Sequence, residues 1–144
     1  MTSPMVLGRS YFEACAGRDW AALRALLSDD VRWVFPGESS AAAPAAGIEA
    51  TMTRIERVCS FLSGFGLAHV LASRSNFALT MHRAIDHERL DDNEQLAVIG
   101  RVRDGRIVEI ETFVSNLEVM DLMLALDPPP VPHPKFRGYD RNDD

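Results

Sequence analysis

The chain has 144 residues, of which 47% are hydrophobic and 25% are charged, and its net charge at pH 7 is −6. These values are typical of one globular domain with a sizeable core, and the negative charge argues against a nucleic-acid-binding protein. No apolar run approaches the length of a membrane span, and the first residues lack the basic and apolar regions of a secretory signal. We therefore expect a cytoplasmic protein with neither a membrane nor a nucleic acid as its partner.

The first part of the sequence predicts two helices followed by a short strand. Ser3 is placed to cap a first helix over residues 5–17, because a serine side chain accepts a hydrogen bond from the first turn. Asp19 is placed in the same way before a second helix over residues 20–28. The segment 29–35, DDVRWVF, is rich in strand-forming residues and precedes a Pro-Gly pair that would end the strand.

The remaining sequence predicts one more long helix and then a series of strands. Residues 38–46 show no hydrophobic period and are predicted to form a loop, whereas residues 47–62 return to helical spacing. Four strand-like segments follow, at residues 66–75, 77–90, 94–103 and 106–115. The Asp-Gly pair at 104–105 is a hairpin signal between the last two segments. Residues 116–126 are predicted to form a closing helix.

Helices followed by an antiparallel meander indicate an α+β domain. A long, bent sheet around helices would form a cone with an open end, which is a natural pocket for a small molecule. We expect one domain over residues 1–126 and a proline-rich tail over residues 127–144. Cys15 and Cys59 lie in helical patterns without metal-type spacing, so we interpret them as small buried hydrophobic residues in a reducing compartment.

Two phrases of the sequence, together with the order of elements, carry a resemblance to a known family. They are YFEACAGRDWAALRALLSDDVRWVFPG at 11–37 and VRDGRIVEIETFVSNLEVM at 102–120. Over roughly residues 5–126 the chain resembles the nuclear transport factor 2-like superfamily, and within it the SnoaL-like, ketosteroid isomerase and limonene-epoxide hydrolase branches. The resemblance implies a cone-shaped α+β barrel, with the N-terminal helices packed in a highly curved antiparallel sheet. It does not imply one reaction, because this superfamily includes both enzymes and non-catalytic binding proteins.

The ketosteroid isomerase pattern is only partly present in the sequence. Tyr11 fits the position of that branch's hydrogen-bonding tyrosine on the first helix. The position of its general base, an aspartate before the proline that ends the strand, is occupied by Phe35. Its second aspartate falls near Gly100. Steroid-type isomerisation would therefore lack its base, and we do not expect it as the default reaction.

The limonene-epoxide hydrolase pattern is also incomplete. The segment HRAIDHERL at 82–90 is similar to that branch's strand motif, and Asp86 fits the position of its water-activating base. The arginine position of the motif is occupied by Ala84, and the two aspartates of its last strand are replaced by Thr112 and Ser115. Only one of the three catalytic positions keeps its charge. A solvated hairpin face is the alternative interpretation of this segment.

Strand alternation divides the last predicted strand into two faces. The resemblance places Ile110, Thr112 and Val114 in the pocket, which leaves Glu109 and Glu111 on the outer face. Thr112 would then be the only polar pocket residue from this strand, and its hydroxyl can donate a hydrogen bond but cannot act as a base at neutral pH. The full set of expected ligand-contacting residues is Trp33, Phe35, His69, Ile110, Thr112 and Val114. For His69, grouped by alternation with Leu67 and Leu71, a place in the core is the alternative.

Taken together, these patterns predict a small SnoaL-like protein, dimeric through its sheet, that binds an apolar oxygenated metabolite. If it is an enzyme, we expect acid–base chemistry such as isomerisation, cyclisation, dehydration or epoxide opening. Asp86 would be the base, and Tyr11, His82 or Thr112 would polarise an oxygen of the substrate. No organic or metal cofactor is implied. A metal site in segment 82–90 is not expected, since strand alternation separates His87 from His82, Asp86 and Glu88 and no cysteine supports such a site. The rival is a non-catalytic binding or dimerisation module of the same fold.

Overall fold

The computed structural model describes residues 2–34, 44–59, 66–83 and 94–114 of the chain. Within these ranges the elements in chain order are α1 (Pro4–Gly17), α2 (Trp20–Leu26), β1 (Leu27–Val34), β2 (Ala45–Ala46), α3 (Ile48–Cys59), β3 (Gly66–Ala72), β4 (Asn76–Arg83), β5 (Glu94–Arg103) and β6 (Arg106–Val114). None of the helices in these ranges is long and apolar enough to cross a bilayer. The closing helix and the tail predicted beyond residue 114 lie outside the described residues.

Both predicted helix caps are confirmed. The Ser3 hydroxyl accepts a hydrogen bond from the Val6 amide at 3.3 Å, and the Asp19 carboxylate accepts one from the Ala22 amide at 3.1 Å. Each cap satisfies an amide that the first turn of its helix leaves without a partner. The sharp connection between the two helices is made by Arg18, whose φ of 54° reverses the chain after α1.

The second helix is shorter than predicted, because its last two expected residues belong to a strand. Leu27 has extended backbone angles and begins β1, where it pairs with Ile107 of β6. The predicted loop over residues 38–46 is also partly wrong, since β2 at its end pairs antiparallel with β1. In both places strand pairing, which residues distant in the sequence supply, overrides the local pattern.

The six strands form one open, curved sheet in the order β2-β1-β6-β5-β4-β3. The four strands from β3 to β6 form the predicted antiparallel meander, whereas β1 runs parallel to β6. The turn between β5 and β6 has positive φ at both Asp104 and Gly105, as a two-residue hairpin of type I′ requires. Register shifts between β1 and β6, in β3 and in β5 mark bulges, which increase the local bend of a sheet.

The helices pack against one face of this sheet, which we call the inner face, and the core lies between them. The largest fully buried side chains are Leu7, Leu23, Leu27, Trp33, Ile55, Phe77, Leu79, Ile107 and Ile110. They come from all three helices and from β1, β4 and β6, so a single core joins the helices to the sheet. The arrangement is the α+β fold that the sequence predicts.

Candidate functional site

The inner face carries the residues that the sequence assigns to the pocket on β1 and β6. Trp33 and Ile110 are paired across these two strands and are fully buried, and Thr112 is 3% exposed. Glu109 lies on the opposite face, where its carboxylate is 3.7 Å from the Arg32 guanidinium and 3.6 Å from that of Arg101. The predicted division of β6 into an inner and an outer face is therefore confirmed for the residues whose side chains are described.

Three buried residues of the described ranges carry polar side chains, namely Ser28, Thr51 and Thr112. The Ser28 hydroxyl donates to the Asp30 carboxylate at 2.8 Å, and the Thr51 hydroxyl donates to the Val31 carbonyl at 3.3 Å. Within the described ranges, the buried side-chain atom that has no hydrogen-bond partner is Oδ1 of Asn76 on β4. The Thr112 hydroxyl is the polar group that β6 contributes to the inner face.

Tyr11 is buried on the inner side of α1, and its ring centroid is 6.3 Å from that of Phe77. Burial raises the pKa of its hydroxyl well above the usual value, and the nearby thiols of Cys15 and Cys59 raise it further. At neutral pH Tyr11 is therefore protonated, and its hydroxyl can donate a hydrogen bond.

The expectation that His69 shares an inner face with Leu67 and Leu71 is wrong. A bulge between Leu67 and His69 shifts the register of β3 by one residue, so that Leu67 pairs with inward-facing Met81 but His69 pairs with Thr80. A shift of one residue moves every later side chain to the other face. His69 is consequently exposed on the outer face, where its Nδ1 lies 2.8 Å from the Thr80 hydroxyl.

The structure also places His82 away from the inner face. The buried residues of β4 are Phe77, Leu79 and Met81, whereas His82 is exposed and pairs with Gln95 of β5. The expectation that His82 acts on a ligand in the cone is therefore contradicted by its position on the outer face. Strand alternation separates it from the core.

Three of the expected site residues fall outside the described side chains. Asp86 and Phe35 lie in the segments 84–93 and 35–43, which the structure does not describe. Val114 is the last described residue of β6, and its side chain is likewise outside the described part. The roles expected for these residues therefore stay predictions.

Phe77 fills the middle of the inner face. A β-carbon at Gly100 would lie 2.1 Å from its Cζ atom, and one at Gly8 would lie 2.8 Å from its Cδ2 atom. Both glycines therefore provide the space that this ring occupies. Gly100 is the position near which the resemblance to ketosteroid isomerases places an aspartate. A side chain larger than that of glycine would overlap Phe77 there.

Two further contacts have no counterpart in the sequence analysis. The Arg54 guanidinium on α3 lies 5.5 Å from the centroid of the Trp33 ring, a cation–π contact. Partial burial lowers the pKa of Arg54, and the neighbouring charge of Arg57 lowers it further. The thiols of Cys15 and Cys59 also interact, which raises the pKa of Cys15 and lowers that of Cys59. Helical spacing indicates that each side chain faces inward, but only the packing of the helices brings them near each other.

Comparison with known proteins agrees with this fold. Residues 9–110 match the model of the SnoaL-like domain, which is well over half of the chain. The chain belongs to the SnoaL-like domain family. No curated protein matches the sequence.

Solved structures resemble this SnoaL-like chain at low sequence identity. A protein of unknown function with a cystatin-like fold from Xanthomonas campestris is 21% identical, with a TM-score of 0.68 over 83% of this chain and 96% of the other. A nuclear transport factor 2-like protein from Burkholderia thailandensis is 17% identical, with a TM-score of 0.68 over 85% and 98%. A protein from Kribbella flavida, named provisionally as a ketosteroid isomerase, is 22% identical, with a TM-score of 0.62 over 88% and 82%. These similarities show the fold.

Proposed function

We propose that this SnoaL-like protein binds a small, mostly apolar, oxygenated molecule against the inner face of its sheet. The observation that carries the proposal is the place of Thr112, a polar residue that is 3% exposed among the apolar side chains of the inner face. A carbonyl, ether or hydroxyl oxygen of a ligand would accept the hydrogen bond that the hydroxyl offers. A molecule of the polyketide, terpenoid or steroid-like class matches such a surface, because it combines a large apolar area with few oxygens.

The apolar neighbours of Thr112 support the same class of ligand. Val98, its partner on β5, is buried, as are Ile110 two residues before it and Trp33 opposite Ile110. The Thr112 side chain therefore lies in apolar surroundings, and an apolar ligand that reached it would be favoured by about 0.8 kcal/mol for each methylene removed from water. Charged ligands fit less well, since none of the buried residues in the described ranges is charged.

Acid–base catalysis is the second candidate, and it depends on a single residue. The buried polar side chains of the described ranges are hydroxyls, which are poor bases at neutral pH. Asp86, at the position of a water-activating aspartate in limonene-epoxide hydrolases, is the proposed base. Tyr11 keeps the position of the ketosteroid isomerase tyrosine, and its raised pKa makes it a hydrogen-bond donor. Without a base at Asp86, the same surface supports binding alone.

Ligand binding is tested by fluorescence. The chain has two tryptophans, so a Trp20→Phe variant leaves Trp33 on the inner face as the only reporter. The panel consists of terpenoid epoxides, cyclic ketones and polycyclic phenols. We expect the fluorescence of Trp33 to change and then reach a plateau as the concentration of at least one of these molecules rises. In the same background, Thr112→Val should weaken its affinity roughly threefold to tenfold, the value of one neutral hydrogen bond.

Thr80→Val is the matched control for this titration. Thr80 is a strand threonine on the outer face, and its hydroxyl is engaged with His69, so its replacement should leave the affinity unchanged. Equal loss in both variants would assign the effect to a general change of the sheet. Absence of saturable binding across the panel would contradict the proposal.

We further propose that the protein forms a homodimer through the outer face of the sheet. Leu71, Ile99 and Phe113 are 58%, 38% and 43% exposed there. Leu71 and Ile99 both pair with Ala78, so they lie in one row across three neighbouring strands. Phe113 lies on the neighbouring strand β6, opposite Ala97. Several large apolar side chains exposed on one face of a sheet are typical of an interface.

A further inference from the structure

A half-buried arginine lies against the aromatic part of the inner face. The Arg54 guanidinium on α3 is 5.5 Å from the centroid of the Trp33 ring, and Trp33 is 1% exposed. The attraction between a guanidinium and an aromatic ring is stronger where water is excluded, as it is around a buried tryptophan. The contact therefore holds a positive charge at the border of the apolar inner face.

The position of Arg54 follows from the packing of α3 along β1. The Thr51 hydroxyl on α3 donates to the Val31 carbonyl on β1 at 3.3 Å. Arg54 lies one helical turn after Thr51. Trp33 lies two residues after Val31 and, like it, is buried on the inner face. Consecutive turns of α3 thus meet consecutive inward-facing residues of β1, which places Arg54 over the Trp33 ring.

Arg54 is also close to the place where the proposed ligand would bind. Trp33 pairs with Ile110 on β6, and Thr112 follows Ile110 by two residues on the same face. With strands about 4.8 Å apart and about 3.3 Å between residues along a strand, the backbones of Trp33 and Thr112 are separated by roughly 8 Å. A small ring system spans such a distance. One ligand could therefore meet both the Thr112 hydroxyl and the Arg54 guanidinium.

The guanidinium of Arg54 is suited to a carboxylate. Partial burial and the neighbouring Arg57 lower the pKa of Arg54, but an arginine side chain titrates so far above neutrality that it stays protonated. A guanidinium has several N–H donors, so contact with an aromatic ring leaves donors for further partners. Because these donors form a planar fork, a pair of them can bind both oxygens of one carboxylate.

We propose that Arg54 makes the site selective for an apolar carboxylic acid, whose carboxylate it binds while the rest of the molecule packs against the inner face. This inference rests on the proposed ligand-binding function and narrows its ligand class from oxygenated molecules in general to apolar acids. The buried residues of the described ranges carry no charge, so the ionised end of the ligand is expected at half-buried Arg54 and its apolar body deeper in the site. Arg54 is a specificity-determining residue in this arrangement.

The test compares acids with their primary amides, which have nearly the same shape but no charge. The pairs are perillic acid, cyclohexylacetic acid and naphthylacetic acid, each with its amide, titrated at pH 7 by calorimetry. Calorimetry replaces fluorescence here because a change at Arg54 alters the surroundings of the Trp33 reporter itself. We expect at least one acid to bind wild type roughly tenfold more tightly than its amide, the value of a charge-assisted hydrogen bond.

Arg54→Gln shows whether this residue is the source of the preference. The ratio of acid to amide affinity should fall to roughly one, while the affinity for the amide stays within about twofold of the wild-type value. An unchanged affinity for the amide shows that the variant still folds and keeps its site. Arg54→Lys keeps the charge but lacks the fork of donors, so it should retain part of the preference.

Arg57→Gln is the matched control, because it removes the same charge from the next turn of α3. It should keep most of the preference for the acid. An equal loss in Arg54→Gln and Arg57→Gln would assign the preference to the general charge of the helix and overturn the role of Arg54. Equal binding of acid and amide by wild type would overturn the selectivity but leave the ligand-binding proposal intact, whereas no binding of any pair would contradict both.

Discussion

The ring of Phe77 occupies the space in front of Gly100, so closely that a β-carbon at position 100 would lie 2.1 Å from the Phe77 Cζ atom. Phe77 is 1% exposed, and a β-carbon at Gly8 would also lie close to the ring, 2.8 Å from its Cδ2 atom. The ring therefore cannot move away from position 100 toward Gly8 without a new overlap there if both glycines carried side chains. The glycine at position 100 is a packing requirement of this core, whatever the residue at the corresponding position does in relatives.

Gly100→Ala should accordingly lower the free energy of unfolding, by roughly 2–3 kcal/mol, because the added methyl group overlaps a buried ring. Chemical denaturation of the variant measures this loss. Gly17→Ala is the control, since no atom lies within 4 Å of a β-carbon there, and it should be neutral or stabilising by up to about 1 kcal/mol. Adding Phe77→Leu to Gly100→Ala should recover part of the loss. Strictly additive effects would show that the ring is not the obstacle.

Thr112→Val should change the free energy of unfolding of the ligand-free protein by less than about 0.5 kcal/mol, because valine has nearly the same shape and a hydroxyl that serves a ligand contributes little to the fold. Thr51→Val should lower the free energy of unfolding by about 1 kcal/mol, since the Thr51 hydroxyl is bonded to the Val31 carbonyl. A loss of stability confined to Thr51→Val in denaturation of the two variants would support a ligand-binding role for Thr112. Equal losses would mean that its hydroxyl already has a partner in the folded protein.

Because the pKa of Asp30 is lowered in the folded protein, the free energy of unfolding should depend on pH under acidic conditions. The Ser28 hydroxyl and the Arg103 guanidinium, 2.8 and 2.9 Å from its carboxylate, hold this pKa below its usual value. A lowered folded-state pKa means that the stabilisation is present above the unfolded-state value and is lost as the pH falls through the folded-state value. Asp30→Asn should therefore be less stable than wild type at pH 7, and this difference should shrink toward pH 3.

Urea denaturation of wild type and Asp30→Asn across this pH range measures the effect. Asp29→Asn is a suitable control because Asp29 is an exposed neighbour on the same strand. If the difference between wild type and Asp30→Asn were the same at pH 3 and pH 7, the hydrogen bonds of the ionised carboxylate would not be its source.

A measurement of the pKa of Asp86 would distinguish the two proposed functions, an acid–base enzyme and a non-catalytic binding module. If Asp86 is a base in an apolar cone, desolvation should raise its pKa above about 6, and carboxyl-carbon NMR with Asp86→Asn for assignment would detect this. Turnover of any bound epoxide or ketone should then disappear in Asp86→Asn while binding persists. A pKa near 4 would contradict the acid–base mechanism and leave ligand binding intact.

Phe113→Lys should convert the proposed dimer to a monomer, because a charge in an apolar interface must be desolvated without a partner. Sedimentation of wild type should give twice the chain mass of 16.0 kDa, and the variant should give this mass alone. Val6→Lys introduces the same charge at an exposed apolar residue of α1 and should leave the dimer intact. A monomeric wild type would exclude the outer face as a homodimer interface.

The sequence predicts well those features that depend on neighbouring residues. The caps at Ser3 and Asp19 and the two faces of β6 follow from local hydrogen bonding and alternation, and the structure confirms them. Strand alternation predicts the wrong face for His69, because the sequence of a short strand does not reveal a one-residue bulge. The bulge becomes visible only through pairing with β4.

Features that depend on distant contacts could not be derived in this way. The parallel pairing of β1 with β6 and the contact between Arg54 and Trp33 each join residues from separate parts of the chain. Neither the hydrophobic period nor the turn residues predict which distant residues will meet. The resemblance to a family implies the overall architecture, but the position of the Phe77 ring between Gly8 and Gly100 becomes visible only in the structure.

The parallel pairing of β1 with β6 also determines how late in synthesis the sheet can be completed. β1 emerges early, yet its long neighbour in the sheet is the last described strand, so that Trp33 cannot meet Ile110 until most of the chain has left the ribosome. Until then the strand available to pair with β1 within the described ranges is the two-residue β2. Contacts of such large sequence separation slow folding and prolong the exposure of apolar surface. Chains that terminate before residue 106 should therefore be retained by chaperones or degraded rather than accumulate as a smaller folded domain.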